Sequence, residues 1–271
     1  MATRSPLINV MVRAAEKAAR NLKRDFGEVE NLQVSRKGPA DFVSAADQRA
    51  ERILRQELQK VRPEFGLLME ESGQVASSDE RGRRFIVDPL DGTTNFLHGI
   101  PHFAISIAME QADELVAGVI YDPIKEELFT AEKGNGAFLN DRRLRTAARD
   151  RLDAALIATG APFKGHGDRA AFLRELDIVM AETAGIRRQG SAALDLAYVA
   201  AGRYDGFWER DLHYWDTAAG VVLVREAGGF IGEVEKRPYT PDSPSILAAS
   251  TGIEAALQRL LNRAHKQAGR G

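Results

Sequence analysis

Apolar residues near the start of the chain recur with helical spacing. Ser5 and Pro6 are typical of an N-cap and a first helical residue, and the apolar pattern behind them continues to about Phe26. Its members are Leu7, Val10, Met11, Ala14, Ala18 and Leu22. This spacing predicts an amphipathic helix that buries one face.

A second helical pattern begins after Ser44. Ser44 and Asp47 stand at the N-cap and N3 positions of a capping box, and Pro63 sets the end of the helix. The predicted buried stripe consists of Ile53, Leu54, Leu58 and Val61. Asp47 therefore has a structural explanation, since an acid in the first turn also suits the helix dipole.

Shorter apolar segments with alternating polarity predict strands in the first half of the chain. Residues 65–69 and 85–87 are apolar runs, and the polar segment 74–84 between them predicts a mobile loop. Three further strand patterns, separated by turn residues, cover 103–110, 115–121 and 127–131, and a hairpin signal follows at 133–136. Together they predict an antiparallel meander.

The second half alternates between the two patterns. Strands are predicted at 154–159, 186–189, 207–209 and 245–250, and helices at 168–184, from 191 through 199, from 216 to the glycines at 228–229, and at 253–263. The helix at 168–184 has a predicted buried face formed by Phe172, Leu173, Leu176 and Val179. We interpret residues 1–271 as a single α+β domain, with an α+β half at about 5–145 and an α/β half at about 150–265.

Composition excludes several classes of protein. The 37 Lys and Arg residues nearly balance 39 Asp and Glu residues, which argues against a surface built for nucleic acid. The chain has no cysteine, so disulfides and thiolate metal sites are excluded. Charges interrupt the N-terminal apolar pattern, and no stretch approaches the length of a membrane span. We expect a cytoplasmic protein without a membrane segment.

The segment Asp88–Phe96 carries the chemistry. Asp88 and Asp91 follow a strand predicted to be buried, where unpaired carboxylates would cost several kcal/mol, and a hard cation would resolve that cost. Gly92 lets the backbone approach a ligand, and the amides of Gly92 and Thr93 can face an anion. A capped turn is the more common explanation for two acids and a glycine at this spacing alone. The full segment favours metal-assisted phosphoryl chemistry.

Three motifs together resemble those of the inositol monophosphatase family. Residues 88–96 resemble its DPxDGTTNF signature, Trp215-Asp216 with residues 217–220 resembles its second signature, and Glu70-Glu71-Ser72 resembles its upstream acidic pair. The resemblance covers nearly the whole chain. It implies a layered αβαβα sandwich of the inositol monophosphatase and fructose-1,6-bisphosphatase type.

The resemblance also implies the site residues. Two to three Mg²⁺ ions would be held by four acids and one main-chain carbonyl, which are Glu70, Asp88, Leu90, Asp91 and Asp216. Asp47, Thr93 and Glu70 would activate and orient the attacking water. Substrate would be bound by Leu90, Asp91, Gly92, Thr93, Arg187, Gly190, Ser191, Ala192, Glu209 and Asp216. Lys37 is a further candidate for the phosphate neighbourhood, and inhibition by Li⁺ is typical of the family.

The implied activity is hydrolysis of inositol 1-phosphate to myo-inositol and phosphate by a metal-activated water. Relatives of the same fold hydrolyse fructose 1,6-bisphosphate, histidinol phosphate or 3′-phosphoadenosine phosphate, and the metal motifs do not separate these substrates. Discrimination would come from the alcohol side, where Tyr214 departs from the proline of many bacterial relatives. The resemblance further implies a homodimer, and it leaves open a non-enzymatic role as a partner of the transcription machinery.

Overall fold

The computed structural model describes residues 4–28, 34–38, 41–163 and 167–268. Seven helices are present in that part of the chain: α1 Pro6–Phe26, α2 Ala45–Val61, α3 Thr93–Leu97, α4 Arg169–Glu182, α5 Ala192–Ala200, α6 Tyr214–Glu226 and α7 Glu254–Ala268. Strands β1 Val34–Gly38 and β2 Asp41–Ser44 form an antiparallel hairpin between α1 and α2.

Eight strands form the larger sheet. They are β3 Gly66–Met69, β4 Gly73–Val75, β5 Arg84–Asp91, β6 Ala104–Gln111, β7 Glu114–Asp122, β8 Glu127–Glu132, β9 Gly136–Leu139 and β10 Arg142–Arg143. The strand order is β10-β9-β8-β7-β6-β5-β3-β4, in which β3 and β5 run parallel and the other neighbours antiparallel. The predicted meander and hairpin are confirmed.

Five strands form the smaller sheet. They are β11 Leu156–Thr159, β12 Gly185–Arg187, β13 Gly206–Arg210, β14 Phe230–Gly232 and β15 Ser245–Ala249. The order is β12-β11-β13-β15-β14, with β11 parallel to β12 and β13 and with β15 antiparallel to its two neighbours.

The helices separate into three layers around the two sheets. Helices α1 and α2 cover one face of the larger sheet, α5 and α6 lie between the sheets, and α4 and α7 cover the outer face of the smaller sheet. Three apolar clusters fill the spaces between these layers. The predicted αβαβα sandwich is therefore confirmed.

The first helix illustrates how closely local sequence can determine structure. Ser5 is the N-cap, its hydroxyl accepts from the Ile8 amide over 3.2 Å, and Pro6 is the first helical residue. The four inner members of the predicted stripe are fully buried, namely Met11, Ala14, Ala18 and Leu22.

Several local predictions were wrong. Val61 and Leu173, expected in the core, are 44% and 47% exposed, because each lies at the margin of its helix's apolar face. The loop predicted at 74–84 begins with strand β4, and α7 continues to Ala268, beyond its expected end. Strand β14, of three residues, was not predicted. The side chains of Lys37 and Ser44 lie outside the described residues.

Within the described ranges, none of the helices combines the length and the apolar character needed to span a membrane.

Candidate active site

Two acids, Asp88 and Asp91, lie at the carboxyl end of strand β5. In its pairing with β6, Asp88 lies opposite Ser106 and Asp91 opposite Ala104, so three residues on β5 span the length of two on β6. Without that bulge, side chains three positions apart would point to opposite faces of the sheet. Pro89 lies inside the bulge, a position that tolerates a residue without an amide hydrogen. The bulge lets both carboxylates face the same end of the sheet.

Two other elements bring acids to the same end. Glu70 follows β3, which is parallel to β5, so the carboxyl ends of the two strands coincide. Its amide donates to the Val87 carbonyl over 3.2 Å. Asp216 is the third residue of α6, and its carboxylate accepts from the His213 amide over 2.7 Å. The described structure therefore brings together the four acids that the sequence singled out.

The electrostatics of the cluster show how close these acids are. Burial, together with the charges of Glu70, Asp91 and Asp216, raises the pKa of Asp88 well above its usual range. Burial raises the pKa of Asp91 to about 7, with the charge of Asp216 acting in the same direction and the hydrogen bond from Ser191 opposing it. These carboxylates therefore ionise at a substantial energetic cost.

The donor set fits a hard divalent cation. Among the side chains that the structure describes, which do not include those of residues 34–38 and 41–44, no lysine or arginine forms an ion pair with Asp88 or Asp91. Oxygen ligands of this kind are those that Mg²⁺ prefers, and a cation would relieve the repulsion that raises the two pKa values. Among those described side chains, no group of three or more acidic or histidine residues is already arranged to hold a metal ion. A cation would have to draw the carboxylates closer.

Thr93 connects the acidic cluster to α2. Its hydroxyl lies 3.0 Å from Asp47 Oδ1 and 3.0 Å from the Leu90 carbonyl. Asp47 is fully buried, although it belongs to the first turn of a helix. The predicted relation between Asp47 and Thr93 is present as a direct contact, beside the carbonyl predicted to bind metal.

Gly92 is required where α3 begins. Its φ is 96°, in the left-handed region, and a Cβ there would lie 3.1 Å from the His102 carbonyl and 3.3 Å from the Gly190 carbonyl. A larger residue would be strained and would push apart the loops from the two halves of the chain.

The N-terminus of α5 binds an acid of the site itself. Ser191 is the N-cap, and its hydroxyl donates to Asp91 Oδ2 over 2.5 Å. The Ala193 amide donates to the same oxygen over 2.8 Å, and Ala192 between them is buried. The anion at this helix start is therefore Asp91, as the positive end of a helix dipole favours.

Glu209 faces the cluster from the smaller sheet. Burial and the charges of Asp216 and Asp91 raise its pKa to about 8, while Arg188 opposes the shift. Its carboxylate packs directly on Gly160, where a Cβ would lie 1.7 Å from Oε1.

A cavity of about 350 Å³ opens beside these acids. Glu70, Glu209 and Asp216 line it together with an apolar wall formed by Ala161, Pro162, Phe163, Phe172, Leu212 and Trp215. The rings of His213 and Trp215 stack at its edge, with centroids 4.6 Å apart. The cavity has the size and position expected for the alcohol portion of a substrate.

Arg187 and Arg188 lie near the site, and they differ in their effect on its acids. Arg187, the predicted substrate residue, is exposed and donates to the Ile186 carbonyl over 2.9 Å. Its neighbour Arg188 was not predicted, yet its charge acts on Glu209 and on the buried Asp195. Both arginines are exposed and Arg188 lies beyond the end of β12, so no local pattern distinguishes the two.

Tyr214 was expected to shape the alcohol side, and the structure directs it elsewhere. Its hydroxyl donates to Glu110 Oε2, on strand β6 of the larger sheet, over 2.7 Å. By contrast, its neighbours His213, Trp215 and Asp216 line the cavity.

Comparison with known proteins agrees with this arrangement. The model of the inositol monophosphatase family matches residues 3–269. An inositol-1-monophosphatase of Rhizobium meliloti is 58% identical over 260 residues, covering 96% of this chain and 97% of that protein. A Nus factor SuhB of Pseudomonas aeruginosa is 42% identical, over 93% of this chain and 94% of its own length. The crystal structure of extragenic suppressor protein suhB from Bartonella henselae superposes with a TM-score of 0.93 at 58% identity, covering 96% of this chain and 99% of that one.

Proposed function

The chain belongs to the inositol monophosphatase family and is a phosphoric monoester hydrolase, and from this premise we propose that it hydrolyses inositol 1-phosphate with the help of Mg²⁺. The observation that carries the proposal is the convergence of Glu70, Asp88, Asp91 and Asp216 from three elements beside a cavity of about 350 Å³. The name of the Rhizobium relative supports inositol 1-phosphate as the substrate.

Metal dependence is general in the family, and we propose that two to three Mg²⁺ ions bind here. Glu70, Asp88, Asp91, Asp216 and the Leu90 carbonyl would hold them. A bound divalent cation lowers the pKa of a water and stabilises the charge of a leaving alkoxide.

The chain's own residues supply positioning, which phosphoryl transfer chiefly requires. The Asp47 carboxylate and the Thr93 hydroxyl, 3.0 Å apart, would orient the attacking water and hold its proton. The amides of Gly92 and Thr93 would hold the phosphate. The N-terminus of α5, with Gly190, Ser191 and Ala192, would lie beside the alcohol.

Glu209 would accept hydrogen bonds from the cyclitol hydroxyls, because it lines the cavity beside the acids. Arg187 remains a proposed substrate residue, and Arg188 joins it as a cation whose charge acts on Glu209. Because Ser191 and Ala193 of the second half donate to Asp91 of the first, we also propose that residues 1–271 act as one domain.

The decisive experiment combines a substrate panel with an isosteric variant. Inositol 1-phosphate should give the highest kcat/KM among inositol 1-phosphate, fructose 1,6-bisphosphate, histidinol phosphate and 3′-phosphoadenosine phosphate, and chelator should abolish turnover until Mg²⁺ is restored. Asp88→Asn should reduce kcat by about 10³-fold or more, since it removes a charged ligand. Asp113→Asn, at an exposed turn, is the matched control. Near-normal turnover in Asp88→Asn would refute the cation assignment.

A second candidate function follows from the relative named Nus factor SuhB, to which the chain is 42% identical. We propose that this chain also contacts the transcription machinery, as a cytoplasmic homodimer. Co-purification with RNA polymerase complexes should survive in Asp88→Asn if the contact is independent of catalysis. Light scattering of the purified chain would test the dimer, and a monomer at micromolar concentration would exclude it.

A further inference from the structure

Asp216 lies in the first turn of α6. Side chains outside the acidic cluster hold that turn against the larger sheet. Tyr214 donates to Glu110 Oε2 over 2.7 Å, and Arg84 donates to Glu110 Oε1 over 2.6 Å. Glu110 is only 2% exposed. A hydrogen bond to a buried, paired carboxylate is stronger than one between neutral groups, so this contact restrains the helix firmly.

A second contact lies further along the same strand. Ser106 Oγ donates to the Trp215 carbonyl over a long 3.4 Å. Ser106 and Glu110 are four residues apart on β6, a distance of about 13 Å along a strand. The N-terminal turn of α6 is thus fixed against β6 at two separate points, and Ser106 is also the pairing partner of Asp88.

The backbone of α6 leaves little freedom for a compensating shift. At Gly118 on β7, a Cβ would lie 2.6 Å from the Ala219 carbonyl oxygen, so helix and strand are in direct main-chain contact. Thr217, one residue after Asp216, shares a hydrogen bond of 2.6 Å with the Tyr239 hydroxyl. The helix can change its register on the sheet only by breaking these contacts together.

We propose that Tyr214 is a positioning residue that sets the separation between Asp88 and Asp216, with Ser106 as its second anchor. Through Ser106, the strand that pairs with Asp88 also fixes the turn that carries Asp216. The inference rests on the proposed cation site, because the separation of the two carboxylates determines how well they share a cation. Loss of the Tyr214 hydroxyl therefore weakens cation binding while all four acids of the proposed cation site are kept.

The test measures cation affinity directly, on the full chain. Mg²⁺ alone is titrated by calorimetry into cation-free wild type, Tyr214→Phe and Ser106→Ala. We expect Tyr214→Phe to bind Mg²⁺ about tenfold more weakly, as loss of an outer-shell partner typically does, and Ser106→Ala to show a smaller loss. At saturating Mg²⁺, KM for inositol 1-phosphate should stay at the wild-type value.

Tyr204→Phe is the matched control. Tyr204 is also buried, and its hydroxyl has no hydrogen-bond partner among the described residues, so its removal should leave Mg²⁺ affinity unchanged. Wild-type affinity in Tyr214→Phe would overturn the inference, even with a lowered melting temperature, since that would show a purely structural role. Should Tyr214→Phe fail to fold, unchanged affinity in Ser106→Ala would overturn it. Absence of Mg²⁺ binding in the wild type would instead refute the proposed function.

Discussion

Thr93 and Asp47 lie 46 positions apart in sequence, and their side chains meet over 3.0 Å between α3 and α2. The hydroxyl donates its proton to the buried carboxylate, so its oxygen lone pairs are free to accept from a water in the site. The pair thus links the outer helical layer to the acidic cluster.

We expect the two residues to act as a unit. Thr93→Val and Asp47→Asn should each lower kcat for inositol 1-phosphate by about 10²-fold or more, the usual contribution of a positioned proton acceptor. The double variant should be no worse than the poorer single one, because each change disables the same pair. Thr94→Val, at the exposed neighbouring position, is the control. Additive losses would show that the residues act separately.

The cation-free protein should lose stability as pH rises from 6 to 9. Folding raises the pKa of Asp91 to about 7 and that of Glu209 to about 8. In the unfolded chain, both carboxyl groups have a pKa of about 4. In this window the folded state binds more protons than the unfolded state, so stability is greatest at the acid end and declines through the folded pKa values. Melting temperatures in chelator would measure this decline.

Asp79 provides a contrasting control for the pH experiment. Hydrogen bonding from Arg83 lowers its pKa to about 2, so it stays ionised throughout the window. Asp79→Asn should leave the pH slope unchanged, while Glu209→Gln should flatten it. A melting temperature independent of pH in the wild type would contradict the prediction.

Lithium should inhibit the enzyme, with an uncompetitive pattern. Inhibition in the family is attributed to Li⁺ replacing a departing Mg²⁺, and the corresponding acids here are Asp88, Asp91 and Asp216. Initial rates with inositol 1-phosphate over a range of Li⁺ concentrations, with ionic strength matched by Na⁺, would measure it. Full activity at high Li⁺ would exclude that mode of inhibition.

Glu209 should affect recognition of the alcohol and not the chemistry. Glu209→Gln should lower kcat/KM for inositol 1-phosphate about tenfold or more. The proposed cations would offset the charges of Asp216 and Asp91 that raise the pKa of Glu209, and a hydrogen bond to the ionised carboxylate contributes roughly 1.5–3 kcal/mol. The substitution should barely change hydrolysis of p-nitrophenyl phosphate, which lacks the cyclitol hydroxyls.

A steric variant tests the same position without altering its charge. Gly160→Ala would place a methyl group 1.7 Å from Glu209 Oε1 and must displace that carboxylate. We expect the same selective loss as in Glu209→Gln. Equal losses on both esters would place Glu209 among the metal ligands, and no loss on either would show that Glu209 does not contact the substrate.

Sequence patterns predicted the elements that local physics determines. The Ser5–Pro6 helix start and the meander of β6, β7 and β8 follow from capping and from alternation of side chains, and both are confirmed. The acids proposed for the site could be identified because each lies in one of three short motifs that are contiguous in sequence.

Features that depend on packing between distant segments could not be predicted. The bulge in β5 is visible only against β6, and the effect of the Arg188 charge on Glu209 depends on how the loop after β12 packs against β13. Tyr214 donates to the buried carboxylate of Glu110, which lies on β6 and is 104 positions earlier in the sequence. No local pattern encodes such a contact.

The hydrogen bonds from Ser191 and Ala193 to Asp91 join residues about 100 positions apart, and they link α5, in the helical layer between the sheets, to the end of β5 in the larger sheet. During renaturation, the larger sheet could form from neighbouring hairpins while Asp216 and Glu209 are still far from it. Far-ultraviolet circular dichroism would then recover before any molecule had a complete constellation of acids. Regained phosphatase turnover therefore counts only molecules in which both sheets have docked, and it should be the last signal to return.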